Sequence, residues 1–443
     1  MKKGGTYIWR RAFFAAALLV ILLFSALPLS ATDAPEHPEV DGGHSICLYD
    51  ITHDRYIIEQ NGADMVNTST SAKVMTGLIA CEMLSDRLDE IVTVTDKMLS
   101  EVSGYSLKLV AGEKIKVIDL LYAAICGSYN DAVYILAHHI GGDTQGFADL
   151  MNQRAAELGA KATVYTNPLG YPDSAAMITT AYDTLKIAIA ASENELYMEI
   201  CSAVKYTMGV TNKSEARQFY NRNYLVSSNS NADYFDSRCA GMNAGYSGES
   251  GGWSIITLIH DDGADYICVL LGGKESEDGS EIYAYEGVNQ LTDWVCDTYN
   301  NYELFKAGEE LGAVDIGRTS ISTKAPYVAE SDVIVYVPTA TNTPISYKFD
   351  ITPDLKAPLS AGDNIGRVVV TCNGETVGEC SLLLKESYEV NYLMLVIEKI
   401  GDYTTGRAFI ATVVCFAVLL CAVLIHRHTN RYKFSSGKYR RMR

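Results

Sequence analysis

The sequence predicts an α/β (α+β) architecture: an antiparallel sheet flanked by helices, followed by a small β-rich domain and a C-terminal transmembrane helix. Three observations predict it. From about 40 to 300, helix-like and strand-like stretches alternate; from about 302 to 395, β-rich runs carry no helical period; and Ala408 to Ile425 holds no charge. The chain has 443 residues, 48% of them hydrophobic, at a mean hydropathy of +0.03. That is more than one core needs, and it excludes a small disulfide scaffold and a disordered chain.

Residues 1–31 begin with Lys2, Lys3, Arg10 and Arg11, run largely apolar from Ala12 to Leu27, and end on Pro28 and the small Ser30 and Ala31. Basic, apolar, then small is the plan of a secretory signal peptide, with an uncleaved N-terminal anchor as the alternative. In the 40–300 segment, Ile46 to Tyr49 and Tyr56 to Glu59 read as a hairpin, and Ala72 to Leu84 as an apolar helix. Val117 to Cys126 and Asp131 to Ile140 read as helices joined by Gly127-Ser128-Tyr129-Asn130. Phe147 to Leu158 is amphipathic and stops at Gly159, a residue suited to a left-handed C-terminal position. Trp253 to Ile259 and Tyr266 to Leu271 flank Asp261-Asp262-Gly263, which predicts a second antiparallel hairpin.

Beyond this, 302–395 carries the runs Asp332 to Val337, Ile345 to Ile351 and Val368 to Cys372, as a small sandwich does, and reads as a spacer or docking module. The apolar stretch 408–425, at about 1.5 Å per residue, spans roughly 27 Å and just crosses a bilayer. Residues 426–443 add Arg427, Arg431, Lys433, Lys438, Arg440, Arg441 and Arg443 with no acid, which places this tail on the cytoplasmic side. The expected arrangement is an ectodomain held to the outer face of a cell membrane by its C-terminal helix.

Charge narrows the partners. Of 36 basic residues, 4 fall in 1–31 and 8 in 407–443, so 24 face all 54 acids in the body. Such a body is repelled by phosphate backbones, which excludes nucleic acid as a partner. The eleven cysteines include Cys415 and Cys421 in the apolar span, leaving an odd nine with no CxxC. If Asn373-Gly374 is a two-residue hairpin turn, Cys372 faces Glu375 and Cys380 faces Arg367, so those two do not bridge. His138 and His139 are adjacent on a helix and point about 100° apart, so no metal site and no cofactor is expected.

Three short clusters carry chemistry: Thr70-Ser71-Ala72-Lys73 at the first helix start, Ser128-Tyr129-Asn130 in the interhelical turn, and Asn243-Ala244-Gly245 before the second hairpin. A hydroxyl three residues before a lysine shares its helical face, where an amine of lowered pKa can take the hydroxyl proton. The first two clusters also have a plain structural reading, since Ser, Thr and Asn cap helices.

In that order the clusters resemble the S-x-x-K, S-x-N and K-T-G motifs of the D-alanyl-D-alanine carboxypeptidases, the low-molecular-weight penicillin-binding proteins of the S11 serine peptidase family. The flanks agree: Lys73-Val74-Met75-Thr76, Ser128 to Ala132, Met151-Asn152, Asn167-Pro168-Leu169-Gly170, Thr179-Thr180-Ala181 with Asp183, and Asn221-Arg222-Asn223-Tyr224-Leu225. The resemblance implies a serine β-lactamase/D,D-peptidase-like fold and acyl transfer on peptidoglycan stem peptides ending in D-Ala-D-Ala, with β-lactams entering the same route. By position it gives Thr70 the nucleophile's place, makes Lys73 the general base, and has Ser128 and Asn130 relay protons and hold substrate. Asn243, Ala244 and Gly245 then occupy the strand that grips the terminal carboxylate.

Two motifs depart from the pattern. Threonine at 70 is still a hydroxyl but is stiff and crowded by its methyl. At 243 and 244 the cation becomes Asn243 and the hydroxyl becomes Ala244; one lost charge-assisted hydrogen bond is worth roughly 1.5 to 3 kcal/mol, or about ten- to a hundredfold. Ser69, four residues before Lys73, shares its helical face and is the stand-in nucleophile, whereas Ser71 faces away. The resemblance therefore implies a membrane-anchored carboxypeptidase-family protein acting on or binding stem peptides, with catalysis weakened or lost. The alternative, toward which the departures lean, is a non-catalytic pseudoenzyme serving as a cell-wall-binding or scaffold membrane protein. A β-lactamase requires a dedicated deacylating base, and the sequence does not identify one.

Overall fold

Strands that are apolar on every residue, rather than alternately, are buried on both faces, and the central strands here are of that kind. In the computed structural model they form a five-stranded antiparallel sheet from β1 (Ser45–Asp50), β2 (Arg55–Gln60), β3 (Asn243–Tyr246), β4 (Trp253–His260) and β5 (Asp265–Gly273), in the order β2-β1-β5-β4-β3. Residues 37–40, 42–170, 177–248, 251–319, 324–338 and 344–438 are described, without the side chains of 405 and 430–438; the predicted signal segment 1–31 lies outside them. The chain divides into two units, Met1–Asn301 with Tyr336–Asn342, and Tyr302–Val335 with Thr343–Arg443.

In the first unit the sheet separates two cores. Ile256, Leu258, Ile267, Val269 and Leu271 face helices α1 (Ala72–Leu84), α2 (Val117–Ile125), α3 (Asn130–Gly141), α4 (Thr144–Glu157), α5 (Ala181–Ser192) and α6 (Glu195–Ser202). Ile255, Ile259, Cys268 and Leu270 alternate to the other face, into a core with Tyr285, Val288 and Leu291 of α7 (Tyr283–Thr298). The centre of the first core is α1, in which 11 of 13 residues are buried. A helix apolar on all sides must be enclosed by others, and Lys73 is its one buried charge-bearing residue. At roughly 1.5–3 kcal/mol for each large side chain buried, Val74, Met75, Leu78, Ile79 and Leu84 hold that helix, and with it the backbone under Lys73, in place.

The predicted helix 147–158 starts three residues earlier, because Asp143 caps it by accepting from Gly146 N at 2.8 Å. It ends as expected, with Gly159 at φ +74°.

The second unit holds another five-stranded antiparallel sheet, ordered β6-β7-β11-β10-β9, from β6 (Glu310–Asp315), β7 (Lys324–Ala329), β9 (Ile345–Ile351), β10 (Asn364–Cys372) and β11 (Glu375–Leu384). The run predicted at 332–337 forms β8 (Val333–Pro338). Cys372 lies opposite Glu375 as expected, but Cys380 lies opposite Val368, not Arg367. The register shifts between Val370 and Thr371, so Thr376 and Gly378 face consecutive residues and Val377 is the extra residue of a bulge. After the sheet come α8 (Tyr392–Thr405) and α9 (Arg407–Lys438). Residues Arg407–Thr429 of α9 are long and apolar enough to cross a membrane, and none of the span is buried.

Candidate active site

The first cluster does not begin as an α-helix. Ser69–Ser71 form a 3₁₀ turn and α1 starts only at Ala72. Ser69 takes φ +50°, a conformation uncommon outside glycine, held by its N–H on Asn67 Oδ1 at 2.8 Å. Its carbonyl presses on Gly170, which has φ +89° and where any Cβ would meet that oxygen. This turn corrects the expectation for Ser69: with Ser69 left-handed in the 3₁₀ turn and outside the α-helix, the four-residue spacing does not align it with Lys73. Its hydroxyl instead donates to Ser247 Oγ at 2.7 Å.

Thr70 is buried, and among the described residues its Oγ1 has no hydrogen-bond partner. Both branches of its side chain face β3: a Cβ added at Gly245 would lie 2.8 Å from Thr70 Oγ1 and 2.9 Å from its methyl. Glycine at 245 thus lets the strand close on the hydroxyl. Two residues earlier on the same strand, and so on the same face, Asn243 is 5% exposed with its Oδ1 also unpartnered among the described residues. Ala244 alternates to the opposite side, where its methyl joins the core that contains Ile255 and Tyr285. The structure therefore brings Thr70, Asn243 and Gly245 together and leaves the side chain of Ala244 out. As the outermost strand, β3 also has, among the described residues, one edge without a sheet neighbour.

At the second residue of α1, Lys73 Nζ donates to Ser128 O at 2.8 Å, Ser128 Oγ at 2.9 Å and Asn130 Oδ1 at 2.9 Å. Ser128 reaches it from a tight turn at φ +54°. Asn130 is fixed from behind, its N–H on Tyr105 O at 2.8 Å and its side-chain nitrogen on Ser103 O at 2.6 Å. Burial first, and the Arg222 cation second, bring the Lys73 ammonium down from the usual lysine range to about 7, with Asp131 opposing. A buried lysine near neutrality has a lone pair available, which is what a general base requires. As an amine with two N–H groups, Nζ keeps Ser128 O and Asn130 Oδ1 as acceptors and turns its lone pair to the Ser128 hydroxyl.

Two residues of the flanking sequence, Asp131 and Arg222, act on Lys73 through their charge. Asp131 accepts from Leu107 N and Leu109 N, both at 3.0 Å, and from Ser106 Oγ at 2.9 Å, so it moors the 103–109 loop against the Ser128 turn. The sequence signal for it was an acid in the first turn of α3, which is equally the mark of an ordinary helix start.

A family model described as D-alanyl-D-alanine carboxypeptidase matches residues 31–275, and one described as penicillin-binding protein 5, C-terminal domain, matches residues 299–390. The D-alanyl-D-alanine carboxypeptidase DacD of Salmonella typhimurium is 26% identical over 90% of this chain and 99% of its own length. DacF of Bacillus subtilis is 21% identical over 87% of this chain and 96% of its own. Among solved structures, penicillin binding protein 6B from Escherichia coli superposes with a TM-score of 0.57 at 22% identity, over 80% of this chain and 98% of that one, a likeness of fold.

Proposed function

The chain belongs to the D-alanyl-D-alanine carboxypeptidase family, peptidase S11, and from that premise we propose that it is a membrane-anchored carboxypeptidase whose catalysis is weakened. Thr70 is its nucleophile, Lys73 its base, Ser128 the proton relay, and Asn130 and Asn243 its substrate contacts. The observation that carries the reading is the convergence of a buried hydroxyl at Thr70, unpartnered among the described residues, with Gly245 on one side and, three residues on, a Lys73 amine brought down to about 7. A stem peptide entering along the free edge of β3 adds as a strand, its D-Ala-D-Ala carbonyl over Thr70 Oγ1. The amine takes the Thr70 hydroxyl proton through Ser128 as the oxygen attacks the carbonyl; that proton passes to the nitrogen of the last D-Ala as its C–N bond breaks and the acyl-enzyme forms, and water then cleaves the ester, returning the hydroxyl to Thr70 and leaving the peptide with a new carboxylate. The apolar span of α9 holds this site to the outer membrane face, with the basic tail inside.

The test is labelling of the full chain in detergent with a fluorescent penicillin, alongside release of D-Ala from a pentapeptide. Slow labelling with little D-Ala released is the expected result. One observation favours the second reading, a pseudoenzyme: Lys73 spends its contacts on Ser128 and Asn130 and none on Thr70. Pentapeptide binding without any acyl-enzyme identifies that case, and absence of both binding and label removes the stem-peptide reading altogether.

Asn243→Lys is expected to raise the labelling rate about ten- to a hundredfold, because it returns one charge-assisted contact to the substrate carboxylate. Ala244→Thr adds a hydroxyl to a buried apolar face, so it is not expected to help. An unchanged rate in a folded Asn243→Lys variant places the impairment elsewhere.

A further inference from the structure

The edge of the first sheet carries an aromatic row on the face opposite Thr70. Tyr246 of β3 pairs with Trp253 of β4, which pairs with Gly273 of β5, and residues directly opposite one another in an antiparallel sheet share a face. Ala244, two residues before Tyr246, lies on that face too. Gly273 leaves the row open for a large ring, since a Cβ there would lie 2.8 Å from that of Trp253. The indole fills the space, 5.5 Å from the Tyr285 ring and 5.6 Å from that of Tyr246. Trp253 is 7% exposed, whereas Tyr246, at the strand edge, is 41% exposed.

The row also carries charge. Trp253 Nε1 donates to Glu275 Oε2 at 2.6 Å, which fixes a half-buried carboxylate against the indole. A carboxylate on the N–H polarises the ring and makes its face a better seat for a cation. The loop that supplies Glu275, residues 274–281, holds four acids against one lysine, so its field has the same sign. Arg222 is taken up by Tyr105 and Tyr224, and among the described residues no cation lies over Trp253.

A stem peptide added to the free edge of β3 falls into register with this row. Its D-Ala-D-Ala carbonyl lies over Thr70 and so beside Gly245, with the terminal carboxylate toward Asn243. The peptide then runs antiparallel to β3, and the residue before the two D-alanines stands opposite Tyr246, about 4.8 Å across the pair. That residue is the diamino acid of the stem peptide and the last of L configuration, so its side chain emerges on the face of Tyr246 and Trp253. Its methylene stem covers the tyrosine ring and carries the ammonium toward the indole and Glu275.

We propose that Tyr246, Trp253 and Glu275 form a subsite for the side-chain ammonium of the diamino acid that precedes D-Ala-D-Ala. The inference rests on the stem-peptide reading above. The three residues determine specificity and take no proton: they favour a peptide whose side-chain amine is free over one whose amine is already acylated.

The test compares Nα-acetyl-L-Lys-D-Ala-D-Ala, whose side-chain amine is free, with Nα,Nε-diacetyl-L-Lys-D-Ala-D-Ala, binding to the full chain in detergent at neutral pH, in a Thr70→Ala background that prevents turnover. The free amine is expected to bind about fivefold more tightly, the combined worth of a cation–π contact and a partly exposed ion pair. Glu275→Gln still accepts from the indole N–H but carries no charge, and it brings the ratio to about two. Tyr246→Leu keeps apolar bulk without a π face and lowers the ratio to about the same value. Neither variant is expected to alter the affinity of the diacetyl peptide. A merely structural role lowers both affinities together and leaves the ratio alone. Should the glutamine variant not fold, Tyr246→Leu, at the exposed strand edge, decides. A ratio near one in the parent, or an unaltered ratio in either folded variant, overturns the subsite. Binding of neither probe to the parent overturns the stem-peptide reading and this inference with it.

Discussion

Thr70→Ala is expected to abolish penicillin labelling of the full chain, and Thr70→Ser to speed it about tenfold. The first follows from the position of the hydroxyl. It is buried at the head of α1, pressed against Gly245 of β3 and unpaired among the described residues, so no other group stands where it does. Ser69, the sequence's alternative, has its hydroxyl on Ser247 and its carbonyl against Gly170, so Ser69→Ala is expected to leave labelling within about twofold of the parent. The second follows from the methyl, which with Oγ1 faces the strand at nearly equal distance and holds χ1 stiff. Turning a side chain about 30° off its rotamer costs roughly 0.5–1.5 kcal/mol. Serine, without the methyl, avoids that cost as the hydroxyl swings toward the carbonyl, and about 1.4 kcal/mol is tenfold in rate. Label that persists in Thr70→Ala and disappears in Ser69→Ala moves the nucleophile to 69.

These expectations show where the sequence was legible and where it was not. The bounds of α1 and the two hairpins of the first sheet follow from apolar runs closed by turn residues, signals local to each element. The helix-start motif at 70–73 was legible as a set of residues but not as a shape. Whether Ser69 is helical is decided by Gly170, a hundred residues on in the chain, whose backbone meets the Ser69 carbonyl. A bulge at Val377 likewise leaves no mark in a run that reads as strand throughout, and it shifts Cys380 by one residue. The face on which Ala244 lies depends on which side of β3 the helices pack, which strand periodicity alone does not say. Arg222 is the same kind of case: its motif was visible, but its place beside the Ser128 turn rests on contacts with Cys126, Tyr105 and Tyr224 that only the fold assembles.

Lys73→Met is expected to lower the labelling rate 10²- to 10⁴-fold, the usual worth of a general base, and to remove the pH dependence that identifies it. In the parent the base is the uncharged amine, so labelling rises as pH passes upward through about 7 and is flat above; in Lys73→Met that step is gone. Stability gives an independent reading with its own sign. Burial lowers the folded pKa of Lys73 from the ordinary lysine value of 10.5 to about 7, so between those two values the unfolded chain carries a proton that the folded chain does not. The parent therefore gains stability as pH rises across that window, and below pH 7 it bears the full cost, on the order of 5 kcal/mol. Methionine abolishes that cost but leaves Ser128 O, Ser128 Oγ and Asn130 Oδ1 without Nζ, at roughly 1–3 kcal/mol each. The two terms are of similar size below pH 7, so Lys73→Met is expected to melt within a few degrees of the parent in acid. At pH 9 the parent has recovered most of the cost and the variant still has its orphaned acceptors, so the variant melts clearly lower. A parent whose labelling is flat from pH 5 to 9, with a melting difference that does not widen toward alkaline pH, means that Lys73 stays charged in the fold and is not the base.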